Sequence, residues 1–121
     1  MYQDILTFWF QQLSPKDWFN YNAEVDQQIE ERFLVTLQQA EQSELFSWRK
    51  TAHGRLAEVI VLDQFSRNIY RNSAAMYAQD MMAFNLALSC LNDGLLERAK
   101  HPVIGAFLLQ AIRHREDPLL Q

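Results

Sequence analysis

The stretch Val59-Ile60-Val61-Leu62-Asp63-Gln64-Phe65-Ser66-Arg67-Asn68-Ile69-Tyr70-Arg71 decides the fold. It begins as a run apolar on nearly every side, then sets Asp63, Gln64, Arg67, Asn68 and Arg71 directly against that run. A segment apolar all round is normally a buried helix. Polar groups entering it need partners, because stranding one member of a buried ion pair costs about 3–5 kcal/mol. The cluster is therefore either a structural polar network or a site, and the residues alone leave both readings open.

Working outward, the flanking sequence reads as helix on both sides. Upstream, Leu56 continues the apolar run from a start near Thr51. Before it, Val25, Ile29, Phe33, Leu37 and Ala40 recur at helical spacing behind Asn22, a good N-cap. Ile5, Leu6, Trp9, Phe10 and Leu13 form a first helix that Ser14-Pro15 ends, since the residue before proline avoids the helical region. The intervening segments read as connectors, Lys16 to Asn22 plugged by Trp18 and Phe19, and Ser43 to Lys50 anchored by Leu45, Phe46 and Trp48.

Downstream, Asn72 and Ser73 mark a break. A helix over Ala74 to Asn92 follows, with Tyr77, Met81, Phe84, Leu88 and Leu91 as its stripe and Gly94 as its stop. The last helix has Pro102 near its first position, then Val103, Ile104, Phe107, Leu108, Ala111 and Ile112, and Pro118 closes it. No sustained alternation signals a strand. The expectation is an all-α, single-domain antiparallel stack of about five helices with short connectors.

Composition narrows the function classes. The chain has 121 residues, 49% hydrophobic, with a formal net charge of -4. The basic residues are interspersed with acids and form no stripe, so nucleic acid is not the expected partner. No uncharged apolar run approaches the roughly 20 residues of a membrane span. Cys90 is the single cysteine and lies in a helical apolar pattern, which predicts a packed thiol and a reducing, cytoplasmic compartment.

The pieces Phe8-Trp9-Phe10, Trp18-Phe19, Ile29, Arg32-Phe33, Leu45, Trp48, Leu62 to Arg71, Asp80, and His114-Arg115-Glu116-Asp117 with Gln121 resemble the bacterial domain of unknown function 924 family. The Asp63-Gln64-Phe65 block with Arg67-Asn68 is the specific part. The resemblance implies a tetratricopeptide-like helical fold and brings no established activity. It implies proline where this chain has Ser66, glycine at Asn72 and serine at Arg115. It also implies a longer domain carrying a second motif of the type Gly-Arg-Phe-Pro-His-Arg-Asn, of which residues 1–121 are the N-terminal two-thirds.

The candidate site residues are Asp63, Gln64, Arg67, Asn68, Arg71, His114 and Glu116. Asp63 and Arg67 are four apart and share a helix face, as an internal ion pair or as a unit that grips a ligand. Arg67, Asn68 and Arg71 have the donors for an anion and equally suit capping of a helix end. His114 with Glu116 and Asp117 has the residue types of an acid–base site, but no His-Glu-x-x-His spacing, so no metal or cofactor is expected. Ser66 lacks a nucleophile elbow, and Trp9, Trp18 and Trp48 read as core anchors before they read as pocket walls.

Two function classes follow. One is a binding or scaffold module for a peptide or small anion. The other is a small acid–base, hydrolase-like enzyme using Asp63, His114 and Glu116, with Arg67 on an anionic substrate. The last helix is strongly apolar, and an uncovered apolar face there predicts self-association.

Overall fold

The computed structural model describes residues 1–95 and 103–116, with the side chains of 103, 115 and 116 left aside. Among these residues the protein is all-α, with no strand. Helix α1 (Tyr2–Thr7) runs on into a π-helical segment, Phe8–Gln12, and α2 is Pro15–Phe19. Helix α3 is Ala23–Glu41, followed by a 3-10 turn at Phe46–Lys50. The central rod comprises α4 (Ala52–Val59), a π-helical segment Ile60–Phe65, and α5 (Ser66–Ile69). A second 3-10 turn, Ala74–Tyr77, leads to α6 (Asp80–Asn92), and α7 is Val103–Glu116.

Local chemistry sets these boundaries. Asn22 caps α3 by accepting from the Glu24 and Val25 amides, and Thr51 caps α4 by accepting from Gly54. These caps satisfy amides that the first helical turn leaves unpaired. Asn72 has φ 66° and Gly94 φ 75°. Asparagine tolerates this left-handed backbone but glycine adopts it without cost, which explains why glycine suits the Asn72 turn.

The central rod is the axis of the core. Its π-helical segment buries six consecutive residues, Ile60 to Phe65. Side chains leaving one helix in every direction all find cover, because α3, α6 and the rings of Phe8 and Trp9 pack around the segment. Phe65 packs edge-on to Phe8 and Trp9 and stacks on Phe33 at 5.1 Å. Trp9 meets Phe107 of α7 at 5.6 Å. Helix α6 lies between α4 and α7.

Gly54 sits where another helix residue would not fit. A Cβ there would collide with the backbone carbonyl of Trp48, which cannot swing away as a side chain would. Gly54→Ala is expected to destabilise by about 1–3 kcal/mol, despite the roughly 1 kcal/mol by which alanine favours a helix. Urea unfolding decides it; an unchanged or higher midpoint would show that the 3-10 turn yields freely.

Several expectations are corrected. Residues 15–19 form a helix, capped by Ser14, whose amide donates to Asp17 Oδ2 at 2.9 Å. Trp18 is half-buried beneath it, but Phe19 stays exposed. Leu45 is buried, whereas Phe46 is 68% exposed and anchors nothing. The regular helix α6 starts at Asp80, after the turn at Ala74–Tyr77. Its inward face is Asp80, Ala83, Leu86, Ala87 and Cys90, while Met81 and Leu88 of the expected stripe point outward. Small residues win the inner side because α6 must approach two helices at once. Among the described side chains of α7, Ile104, Phe107, Leu108 and Ala111 are buried, and Leu109 is the one large apolar residue that is exposed. The described side chains that the sequence placed on an uncovered face of this helix, Ile104, Phe107, Leu108, Ala111 and Ile112, are thus buried or half-buried. Pro102, Asp117, Pro118 and Gln121 lie outside the described residues.

Candidate functional site

Asp63 is the hub of a buried polar cluster. It lies on the π-helical segment with 1% of its surface exposed, so each carboxylate lone pair needs a donor from the protein. Arg67, one turn on, donates from Nη1 to Asp63 Oδ1 at 2.8 Å and to the Asp63 carbonyl at 2.9 Å. The same guanidinium forks onto Asp80 of α6, at 3.1 and 3.2 Å. Gln64 donates from Nε2 to Asp63 Oδ2 at 2.8 Å and reaches Gln110 of α7 at 3.4 Å. His114 Nδ1 lies 2.8 Å from Asp63 Oδ1. A carboxylate only accepts, so Nδ1 carries the proton of that bond.

The cluster also fixes the helix directions. The first turn of α6 and the last turn of α7 both reach the Asp63–Arg67 unit through Asp80 and His114. Helices α6 and α7 therefore run in opposite senses. Two carboxylates share one guanidinium here, which leaves Arg67 little capacity for a further anion.

Asn68 and Arg71 belong to a second cluster. Both hold Asp26 of α3: Asn68 Nδ2 donates at 2.8 Å, and Arg71 donates from Nε at 2.7 Å and from Nη2 at 3.1 Å. The bond to Asp26 holds the Arg71 guanidinium above its ordinary pKa, so it stays charged. Tyr21 lies under the Arg71 guanidinium at 4.8 Å. These donors serve a side-chain carboxylate across helices, and Asn68 and Arg71 do not join the Asp63 cluster.

A cleft of about 590 Å³ opens beside the second cluster, lined by Tyr21, Arg71, Asn72, Ser73, Met76 and Tyr77. Tyr77 lines this cleft, and its ring also lies 5.6 Å from the Arg67 guanidinium. The cleft wall is thus one side chain from the buried acid–base group. None of Trp9, Trp18 and Trp48 lines it.

Of the sequence candidates, the fold brings Asp63, Gln64, Arg67 and His114 together. The side chain of Glu116 lies outside the described residues. Reading the sequence missed Asp80 and Asp26 as partners. Asp80 carried one signal: it shares the helical phase of Ala83 and Ala87, an inward-facing acid. A third buried acid, Glu58, was also missed; Arg49 holds it with bonds of 3.0 and 2.7 Å. Cys90 is buried, and burial pushes its thiol up, as a packed thiol should be.

Ser66 is buried and its Oγ has no hydrogen-bond partner among the described residues. A substrate cannot reach it, so it is not a nucleophile. An unpaired buried hydroxyl costs about 1–3 kcal/mol, so Ser66→Ala is expected to leave stability unchanged or raise it by up to about 1 kcal/mol. Loss of stability in a thermal melt would show that the hydroxyl has a partner after all. No group of three or more metal-binding side chains occurs among the described residues, and no described helix is long and apolar enough to cross a membrane.

No curated protein matches the sequence. A solved structure of a protein of unknown function from Agrobacterium tumefaciens is similar, at 33% sequence identity and a TM-score of 0.87 over 96% of this chain. The chain spans 65% of that relative's length. The family model described as "Bacterial protein of unknown function (DUF924)" matches residues 5–121, and the chain belongs to that family.

Proposed function

We propose that this chain is a ligand-binding helical module whose cleft at Tyr21, Arg71 and Tyr77 takes the anionic group of a small molecule or peptide. The cleft carries this reading: its volume of about 590 Å³ falls in the range of small-molecule sites. Arg71 is a charged lining group held in a fixed orientation by Asp26, which takes its Nε and Nη2, so the donors that remain for an anionic group are those Asp26 does not use, chiefly at Nη1. The exposed Tyr21 ring adds a flat apolar surface beside that charge. In the same reading, residues 1–121 are one portion of a longer family domain.

The test is calorimetry against a panel of nucleoside monophosphates, dicarboxylates and short peptides with a free carboxyl terminus. At least one should bind, and a ligand at 100 times its Kd should add about 2.7 kcal/mol to stability. Arg71→Met should abolish the effect. Failure of the whole panel, or binding indifferent to Arg71, removes the reading.

A second reading rests on the Asp63–His114 contact. A carboxylate on Nδ1 holds an imidazole in one orientation, which is what a general base needs. Here Asp63 orients His114, and Arg67 fixes Asp63. Turnover of an activated ester or phosphoester that disappears in Asp63→Asn would support it; a rate equal to the buffer's would end it.

A further inference from the structure

Arg67 and Arg71 meet the same kinds of side chain. Arg67 holds two carboxylates at once, Asp63 at 2.8 Å and Asp80 at 3.1 and 3.2 Å, and the Tyr77 ring lies 5.6 Å from its guanidinium. Arg71 repeats the pattern with a single carboxylate. Asp26 takes its Nε at 2.7 Å and its Nη2 at 3.1 Å, and the Tyr21 ring lies 4.8 Å from the guanidinium. Among the described residues no second acid is bonded to Arg71. The two arginines differ in setting: Arg67 joins two helices, whereas Arg71 lines the cleft of about 590 Å³.

Charge selects the kind of anion. Among the described residues lining the cleft, Arg71 alone is charged, and Asp26 already balances it. One carboxylate on Nη1 gives Arg71 the two-acid arrangement already present at Arg67. A dianion brings a second charge with no cation to meet it, and Asp26 repels it at short range. With so few donors left for the anion, the body of the ligand must supply much of the contact. Around Arg71 the cleft offers the Tyr21 ring, 67% exposed, and the half-buried Tyr77 ring and Met76. Phenol rings favour a second aromatic ring, stacked or edge-on, and a thioether sulfur is drawn to a ring edge. On the reading of this cleft as an anion site, on which the inference rests, we propose that its ligand is an aromatic monocarboxylate, with the carboxylate on Arg71 and the ring among Tyr21, Met76 and Tyr77.

Calorimetry with phenylacetate, phenylacetamide, phenyl phosphate and hexanoate tests this on the unaltered chain. At about pH 8 phenyl phosphate is a dianion, since the second pKa of a phosphate ester is about 6. Phenylacetate should bind about tenfold more tightly than each of the other three, the scale of one aromatic contact or one charge-assisted hydrogen bond. Tyr21→Leu should remove its advantage over hexanoate. Asp26→Asn keeps an oxygen for Arg71 but drops the competing charge, so it should narrow the advantage over phenyl phosphate. Phenyl phosphate or hexanoate binding as tightly as phenylacetate, and lost in Arg71→Met, would overturn the proposal and leave the anion site standing. A preference unmoved by Asp26→Asn in a folded variant would overturn it as well. Equal binding of phenylacetamide would overturn both the proposal and the anion site. Silence of all four probes overturns the proposal, and the nucleotide and peptide panel then decides separately whether the cleft binds anions.

Discussion

Asp63→Ala is expected to destabilise the protein by about 3–5 kcal/mol, the cost of stranding a buried charge partner. Asp63 is almost fully buried and accepts from Gln64, Arg67 and His114. Its removal leaves the amide and imidazole donors without that acceptor, although Arg67 keeps Asp80. Because His114 reaches Asp63 from α7, the loss also loosens the docking of that helix. The measurement is the urea midpoint multiplied by the slope, compared with Asp63→Asn, which preserves volume and one acceptor oxygen and should lose less. A midpoint within error of the parent would mean that Asp63 meets water.

Phe65→Ala should cost a similar amount, about 3–5 kcal/mol, through lost burial plus the cavity left behind. Phe65 is fully buried, and its ring touches those of Phe8, Trp9 and Phe33, so the Phe8–Gln12 segment and α3 both lose contact with the central rod. The surrounding aromatics are too rigid and too well anchored to fill the space. Phe46→Ala is the control: that ring is exposed, and its loss should fall within about 0.5 kcal/mol of zero. Equal effects at the two positions would contradict the core described here.

Most helices were legible because their signals are local. The stripe Val25, Ile29, Phe33, Leu37 and Ala40 repeats within one helix and is buried as its spacing implies. The Asn22 cap and the Gly94 stop are likewise properties of a few adjacent residues. The Asp63–Arg67 pair was legible for the same reason, since four residues apart on a helix means one face.

Helix α6 shows where this stops. It carries two apolar arcs, and the reading chose the one with larger side chains. Packing between α4 and α7 selected the small one, Ala83, Ala87 and Cys90, because close approach of helices limits volume before it rewards hydrophobicity. The π-helical segments were invisible too, since a shift from i−4 to i−5 pairing leaves composition and periodicity almost unchanged, as in Leu13 donating to the Phe8 carbonyl.

From the residues alone came the helical class, the positions of most of the longer helices, and the certainty that Asp63 and Arg67 needed partners in an apolar surround. Which partners they found was decided only by the assembled fold. Asp80 lies 13 residues from Arg67, His114 lies 51 from Asp63, and Asp26 lies 45 from Arg71. Contacts at such separations depend on how whole helices dock, and docking is set by the summed packing of many side chains, so no short stretch of sequence encodes it.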